Sequence, residues 1–272
     1  MRSTPSGLQA PINNSVISSI VTRTPPPPAQ CPLVDPDKKP SYQKYETIFG
    51  LFPDGEDILE QLNTGVASKT ILFDLGGSPT DKTNEFIEID LTGDKIPELV
   101  IRGIELYVFG CVNGQYQALL KQEAEVNDQP YVAAIADMNL DGLPEIVTGV
   151  RLGGNNVSIT RYEILEWNGF TFQNMVTQPD FGSWYPNGGG AHAGGILMDG
   201  IPPQGGIYNR VAVYDSDGNG TTDLIITGGI GVGGDSQTHG PWRWEKDIYT
   251  WDGHGFALKS VEMEPPTYEV VN

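Results

Sequence analysis

Three short segments of the chain carry side-chain oxygen atoms at alternate positions, the arrangement by which a tight turn surrounds a hard cation. Counted from an aspartate as position 1, each segment has oxygen-bearing side chains at positions 1, 3, 5 and 9, and position 7 can add its backbone carbonyl. Calcium takes six to eight oxygen ligands at about 2.3–2.6 Å in flexible geometry, so the pattern fits this ion. The most complete segment is loop 3 (residues 215–223), which offers Asp215, Asp217, Asn219, the carbonyl of Thr221, and Asp223.

Two further segments repeat the pattern. Loop 2 (residues 137–145) offers Asp137, Asn139, Asp141, the carbonyl of Leu143, and Glu145. Loop 1 (residues 90–98) offers Asp90, Thr92, Asp94, the carbonyl of Ile96, and Glu98. Position 6 is glycine in loops 2 and 3, which permits a sharp bend, but it is Lys95 in loop 1. Because lysine must strain or alter such a turn and its charge opposes a cation, we expect two to three structural calcium ions, with loop 1 the weakest site.

Each loop is predicted to connect two β-strands. Apolar residues precede and follow all three loops, and none of the loops has the glutamate at position 12 that a helix-flanked calcium loop requires. Beyond each loop, a second pair of strands is predicted around a glycine-containing turn with aromatic residues on either side, in residues 106–116, 164–170 and 248–256. One unit is therefore four short strands with an acidic loop between the first two.

The unit recurs three times with unequal spacing. The first aspartates of loops 1 and 2 lie 47 residues apart, a typical period for a propeller blade, whereas those of loops 2 and 3 lie 78 residues apart. The excess falls in residues 178–210, which are rich in glycine, proline and aromatic residues. We expect this stretch to be a long surface insertion.

The three loops, each between apolar strands, resemble the FG-GAP or VCBS-type repeat found in the integrin α-subunit propeller, over about residues 85–260. The resemblance implies a β-propeller in which structural calcium stiffens a hairpin loop of each blade, and a role in adhesion, ligand binding or scaffolding outside the cell. Two features depart from the family pattern: three units are recognisable where propellers usually have about four to eight blades, and glutamate replaces the final aspartate in loops 1 and 2. The chain is therefore a fragment, hides degenerate blades in residues 66–85 and 180–210, or forms an open array that a partner completes.

Two shorter regions precede the repeats. Residues 1–44 are expected to form an extended arm or linker, because the prolines from Pro25 to Pro28 favour polyproline geometry and cannot pair inside a sheet. Residues 45–68 hold one predicted helix, which Asp54 caps and Gly65 ends. Residues 69–272 are predicted to contain only strands and turns, so the fold class is all-β and propeller-like.

The composition limits the classes of partner. Sixteen basic and 35 acidic residues give a net charge of −19, which repels nucleic-acid backbones and anionic membrane surfaces. No run of 18 apolar residues is present, so no membrane insertion is expected, and no signal peptide is visible. Cys31 and Cys111 could form one disulfide, which would suit an oxidising compartment, or remain two free thiols.

Other motifs give weaker indications of nucleotide binding, zinc binding or catalysis. Gly229, Gly231 and Gly234 have the spacing of a dinucleotide fingerprint, but the residues after them are poorly suited to open the helix that would bind phosphate. The three histidines lie in glycine-rich or turn segments and lack the spacing of zinc ligands, so we expect them to be exposed in loops. The alternative is a site shared by His192 and His239. No nucleophile motif or spaced carboxylate pair points to catalysis.

The tryptophans divide into two groups. Trp167 and Trp251 alternate with polar residues in predicted strands and are expected in the core. Trp184 and Trp242 lie in or next to loops, where an aromatic platform could hold a sugar or a peptide, or where they could simply pack.

Together, these observations favour a calcium-stabilised binding, adhesion or assembly module without catalytic activity, located outside the cell or on its surface. Its partner would be a protein, a glycan, or a second copy of the chain in a homo-oligomer. Two alternatives stay open: a carbohydrate-binding accessory domain or carbohydrate-active enzyme that uses the tryptophan-bearing loops, and a self-assembling surface structural protein.

Overall fold

The computed structural model describes residues 31–47, 50–76, 86–123, 130–152, 158–177, 196–200, 210–231 and 242–265. Within these stretches, most residues lie in antiparallel β-sheets, and two short helices precede the sheets. The prediction of an all-β fold is confirmed at this level. The described sheets do not close into a ring, so the structure does not show a propeller.

A hairpin and two helices form the N-terminal region, with β1 (Tyr45–Thr47), β2 (Gly50–Phe52), α1 (Gly55–Asn63) and α2 (Ser68–Asp74). Helix α1 is the predicted one. The carboxylate of Asp54 caps it by accepting a hydrogen bond from the amide of Glu56, and Gly65 adopts a φ of +91° just beyond its end. The left-handed conformation at this position is one that glycine adopts without strain.

The prediction that only strands and turns follow Lys69 is wrong for α2. Its apolar run, Ile71 to Phe73, is typical of a strand by composition. In the fold, Ile71 and Leu72 are buried against α1 and the first sheet, so tertiary packing outweighs the local β preference of these residues.

Three sheets follow, and each contains a path of four consecutive antiparallel strands. Sheet 1 contains β3 (Phe86–Ile89), β4 (Glu98–Arg102), β5 (Leu106–Val112) and β6 (Gln115–Gln122). Sheet 2 contains β7 (Tyr131–Ala136), β8 (Glu145–Leu152), β9 (Ser158–Trp167) and β10 (Phe172–Asn174). Sheet 3 contains β12 (Arg210–Tyr214), β13 (Asp223–Gly231), β14 (Trp242–Trp251) and β15 (Phe256–Met263). In each sheet the acidic loop joins the first two strands, as the sequence predicts.

The predicted insertion, residues 178–210, contributes one further strand to sheet 2. Strand β11 (Ile196–Gly200) pairs with β9 along residues 158–162, next to the stretch of β9 that pairs with β10. Residues 178–195 and 201–209 lie outside the described part of the chain.

The helices and the three sheets stack in chain order, and a hydrophobic cluster fills each junction. The first cluster joins both helices to sheet 1, the second joins sheets 1 and 2, and the third joins sheets 2 and 3. The buried members of these clusters include Leu72 and Phe109, then Val108 and Leu165, then Tyr162 and Tyr249. In the described residues, the helices therefore pack on sheet 1, sheet 1 packs on sheet 2, and sheet 2 packs on sheet 3.

A disulfide attaches the N-terminal segment to this stack. Cys31 and Cys111 are bonded, with their Cα atoms 5.7 Å apart, and Cys111 is buried in β5. From Cys31 the chain passes along the helices, where the amide of Asp35 donates to the carbonyl of Gly65 at 2.8 Å. Residues 31–44 of the expected arm are thus fixed to the helical layer, whereas residues 1–30 lie outside the described chain. In the described part, neither helix has the length and apolarity needed to cross a bilayer.

Candidate metal centre

The three loops share one hydrogen-bonding scheme. In each loop the carboxylate at position 9 accepts a hydrogen bond from the amide at position 2, and the side chain at position 5 accepts one from the amide at position 7. The first bond joins Leu91 to Glu98 at 2.7 Å, Met138 to Glu145 at 2.6 Å, and Ser216 to Asp223 at 3.0 Å. The second joins Ile96 to Asp94 at 2.7 Å, Leu143 to Asp141 at 2.9 Å, and Thr221 to Asn219 at 2.7 Å. The loops are therefore equivalent in backbone path as well as in residue type.

The aspartate at position 1 closes each turn by accepting a hydrogen bond from the amide at position 6. These bonds measure 3.1 Å from Lys95, 3.1 Å from Gly142 and 2.9 Å from Gly220. Position 6 has a left-handed backbone in all three loops, and Lys95 adopts a φ of 71° like its glycine counterparts. The turn is therefore preserved in loop 1, and the lysine adopts a conformation that costs a residue with a Cβ about 1–2 kcal/mol.

Replacement of Lys95 by glycine is expected to stabilise the calcium-free protein by about 0.5–1 kcal/mol, because glycine removes the left-handed strain but has more freedom in the unfolded chain. The change also removes a positive charge next to loop 1, so calcium affinity at that loop should rise. Urea denaturation in the presence of a chelator measures the first effect. The matched control is Gly142→Lys, which should destabilise the protein; a destabilising Lys95→Gly would contradict this reading of the turn.

Loops 2 and 3 contain buried carboxylate oxygens for which no other described residue supplies a hydrogen bond: Asp137 Oδ1, Glu145 Oε1 and Asp223 Oδ1. The side chains of Glu145 and Asp223 are fully buried, at 0% exposure. In both residues the second oxygen accepts the amide hydrogen bond from position 2, which leaves the first oxygen directed elsewhere. Burying an uncompensated carboxylate costs several kcal/mol, so a cation bound at these oxygens would stabilise the loops.

Loop 3 brings its acidic groups closest together. One oxygen from each of Asp215, Asp217 and Asp223 lies within 4.8 Å of the other two, a closeness that no other group of acids, histidines or cysteines reaches in the described chain. Loops 1 and 2 have threonine or asparagine at position 3 in place of Asp217. The ammonium group of Lys259, on β15, is paired with Asp217. Nothing in the sequence spacing indicated Lys259, because only the pairing of β15 beside loop 3 places it there.

Two of the position-9 carboxylates have strongly raised pKa values in the absence of a cation. Burial is the main cause for both, raising the pKa of Glu98 to about 7 and that of Glu145 to about 8. Neighbouring carboxylates add to the shift: Asp94 and Asp90 act on Glu98, and Glu166 acts on Glu145. A divalent cation bound beside these carboxylates would offset both causes, because the opposite charge favours the ionised form.

The calcium-free protein is therefore expected to lose stability as pH rises from about 4.5 to about 8. Across this window the folded state keeps protons on Glu98 and Glu145 that the unfolded state has released, since the ordinary pKa of glutamate is 4.5. Stability then falls with rising pH by up to about 1.4 kcal/mol per pH unit for each group. Denaturation with chelator at several pH values measures this slope.

Two comparisons make the origin of that slope testable. The variant Glu145→Gln should show a smaller slope, because it removes one of the two titrating groups. Saturating calcium should flatten the slope in the natural protein, because a bound cation keeps the carboxylates deprotonated. A calcium-free protein that gains stability across this window would contradict the assignment.

Loop 2 has an additional acidic neighbour on the third strand of its sheet. The side-chain amide of Asn139 donates to Glu166 Oε2 at 2.8 Å, which fixes the orientation of the amide at position 3. Glu166 lies on β9 and is 6% exposed. Sequence reasoning missed this residue because only the strand register brings it beside Glu145.

Position 2 connects the loops to the core of the stack. Leu91 is buried in the cluster between sheets 1 and 2, and Met138 is buried in the cluster between sheets 2 and 3. The backbone amides of both residues donate hydrogen bonds to the position-9 carboxylates of their loops. In loop 3 this position is Ser216, which is exposed. In the sequence, this role was indicated by the apolar residue that follows the first aspartate of loops 1 and 2. The prediction of metal ligands considered only the oxygen-bearing positions and did not use it.

Several other predicted features fall outside the loops. Trp167 is buried, as expected, and Trp251 is half-buried against the cluster between sheets 2 and 3. His254 is exposed in a turn. The side chains of Trp184, Trp242, His192 and His239, and the residues around Gly234, lie outside the described part of the chain.

A cavity of about 250 Å³ lies between α1 and the turn that joins β4 to β5. Its walls include Ile58, Ile104 and Tyr107, together with the carboxylate of Glu105. The Tyr107 hydroxyl donates to Glu105, and the Lys121 ammonium lies 3.1 Å from the same carboxylate. The Glu105 carboxylate is therefore already paired within the chain.

No protein-family model matches the sequence, and no curated protein matches it. The likeness of the three loops to the FG-GAP or VCBS-type repeat stays a prediction.

Proposed function

We propose that this protein is a calcium-stabilised binding or assembly module that acts outside the cell, without catalytic activity. Calcium would occupy loops 2 and 3, and loop 1 would be the weakest site. The observation that carries the proposal is the set of buried, unpartnered carboxylate oxygens of Glu145, Asp223 and Asp137. These oxygens belong to loops whose backbone is already closed by their own hydrogen bonds, so the loops are preorganised for a ligand.

The chemistry of the donors favours calcium over other metals. The candidate ligands are carboxylate, amide, hydroxyl and carbonyl oxygens, which hard cations prefer to the nitrogen and sulfur ligands typical of zinc. Magnesium demands near-ideal octahedral geometry and keeps several waters, whereas calcium accepts the irregular sets that alternate turn positions provide. Extracellular calcium modules commonly have dissociation constants of about 0.1–1 mM, the range in which a surface-exposed loop such as loop 3 would function.

We further propose that the three sheets are blade-type units of the FG-GAP or VCBS kind, arranged as an open array. The helices cover the outer side of sheet 1, and the exposed Ser216 replaces the apolar residue that joins each earlier loop to the next sheet. Repeat arrays commonly end in atypical units of this sort. A protein, a glycan or a second copy of the chain would bind to this array.

The disulfide and the charge are compatible with a location outside the cell. Disulfides persist in oxidising compartments, and this one ties the N-terminal segment to sheet 1. A net charge of −19 favours solubility but causes self-repulsion, which bound calcium would reduce.

Calorimetric titration of chelator-treated protein with calcium tests the proposal. The natural protein should bind two to three ions, and the variants Asp223→Asn and Glu145→Gln should each lose one of them. The matched control is Asp252→Asn, which alters an aspartate in a glycine-containing turn of sheet 3 that lies outside the loops. A natural protein that takes up no calcium at millimolar concentration would refute the proposal.

The nature of the partner is a separate question with its own measurements. A glycan array identifies a sugar ligand, and light scattering after size-exclusion chromatography identifies self-association. Both are run with calcium and with chelator, since the proposal expects binding to require the calcium-loaded fold.

A further inference from the structure

Loops 2 and 3 are joined by a backbone hydrogen bond. The amide of Thr222, at position 8 of loop 3, donates to the carbonyl of Met138, at position 2 of loop 2, at 3.1 Å. Position 8 is proline in the other two loops, Pro97 and Pro144, and proline has no N–H to donate. Loop 2 therefore cannot form the corresponding bond to loop 1, and the link is specific to loops 2 and 3.

Met138 lies between the two candidate cation sites. Its amide donates to Glu145 Oε2 at 2.6 Å, and Glu145 Oε1 is one of the unpartnered buried oxygens. Its carbonyl accepts from Thr222, whose neighbour Asp223 carries the second such oxygen at Oδ1. Two residues, Met138 and Thr222, and two hydrogen bonds thus connect the position-9 carboxylates of the two loops.

The side chain of Met138 prevents this connection from moving freely. It is fully buried, at 0% exposure, in the cluster that joins sheets 2 and 3, where it packs with residues of both sheets such as Val147 and Leu224. A change in the position of the Met138 backbone would therefore disturb close packing between the sheets. Densely packed interiors transmit such displacements rather than absorbing them.

We propose that calcium binding at loops 2 and 3 is positively cooperative and that the bond from Thr222 to Met138 is the link between the sites. The inference rests on the proposed function of these loops as calcium sites. A cation bound to Glu145 orders that carboxylate and, through its hydrogen bond, the backbone of Met138. The carbonyl of Met138 then fixes position 8 of loop 3 before loop 3 binds its own cation. A second ligand that binds an already ordered site loses less conformational entropy, and the resulting coupling is reciprocal.

The sister loops supply a specific test of the link. Thr222→Pro gives loop 3 the residue that loops 1 and 2 carry at position 8, and it removes the donated N–H without removing a ligand. The control Thr222→Ser keeps the N–H and a hydroxyl. Each is combined with Glu145→Gln, which disables loop 2 while retaining an oxygen that can accept from the Met138 amide.

Calcium titration calorimetry then measures the affinity of loop 3 with loop 2 intact and with loop 2 disabled. With threonine or serine at 222, Glu145→Gln is expected to weaken loop 3 by at least about fivefold, the lower end of typical allosteric coupling. With proline at 222, the same change should alter loop 3 by less than about twofold, within the effect of independent sites. A fivefold effect that persists with proline overturns the assigned link.

Reciprocity provides a second measurement that does not depend on the proline variant. In the natural Thr222 background, Asp223→Asn should weaken loop 2 by the same factor by which Glu145→Gln weakens loop 3. If each variant removes one calcium ion and leaves the other affinity unchanged, cooperativity is refuted while the calcium sites stand. If the natural protein binds no calcium, the proposed function fails and the coupling fails with it.

Discussion

Saturation with calcium is expected to raise the free energy of unfolding by about 2.7 kcal/mol for each occupied site, once free calcium exceeds the dissociation constant about a hundredfold. The ion binds the folded loops, whereas the unfolded chain scatters their ligands, so binding adds directly to stability. Neutralisation of the buried carboxylates of Glu145 and Asp223 contributes to the affinity, and so lowers the calcium concentration at which this increment is reached. Guanidinium denaturation with calcium and with chelator measures it.

Variants assign this increment to particular loops. Glu145→Gln and Asp223→Asn should each lose about one site's share, and the double variant should respond to calcium no more than to an equal ionic strength of sodium chloride. Asp252→Asn should respond as the natural protein does. A midpoint that chelator leaves unmoved in the natural protein would contradict a structural role for calcium.

Loss of the disulfide should have an effect of similar size. Cys31 and Cys111 are separated by 80 residues in sequence, and closing a loop of this length stabilises a protein by about 4–5 kcal/mol in the chain-entropy account. Cys31→Ser is the cleaner variant, because Cys111 is buried in sheet 1 and its replacement would also place a hydroxyl in the core. Denaturation in calcium, so that the loops stay occupied, measures the loss.

Two comparisons isolate the bond itself. The double variant with serine at both positions should be destabilised at least as much as Cys31→Ser, and reducing agent should lower the natural protein to about the level of Cys31→Ser. Reducing agent should leave Cys31→Ser unchanged. If Cys31→Ser retained the stability of the natural protein, the attachment of the N-terminal segment would contribute nothing to the fold.

The strand and loop organisation could be predicted from sequence because it depends on local patterns. Apolar residues alternate with polar ones around each acidic loop, and aspartates alternate within it, so periodicity identified both the strands and the candidate ligands. The shared geometry at position 6 follows from the same register, including the left-handed Lys95. Local rules were sufficient where the structure is determined by neighbours in sequence.

The remaining features depend on contacts between residues that are distant in sequence. Helix α2 forms because Ile71 and Leu72 pack on sheet 1, and the disulfide depends on how the N-terminal segment crosses the helices. Glu166 and Lys259 approach the loops only through strand pairing. No periodic pattern encodes these contacts, which is why they were missed or left open.

The position of the loops in the stack suggests why cation sites would matter for this architecture. Leu91 and Met138 insert into the junctions between sheets, and their amides donate hydrogen bonds to the carboxylates at position 9, the proposed calcium ligands. A cation that orders these carboxylates would therefore stabilise the packing of sheet on sheet, and not only a single hairpin. This arrangement explains how small exposed loops could control the stability of a long stack.

The most direct test of the account is an experimental structure of the protein determined in millimolar calcium. We expect an ion in loop 3 at about 2.3–2.6 Å from Asp223 Oδ1 and a second ion in loop 2 at the same distance from Glu145 Oε1. Density that shows both oxygens in contact only with protein and water, with no ion in either loop, would contradict this expectation.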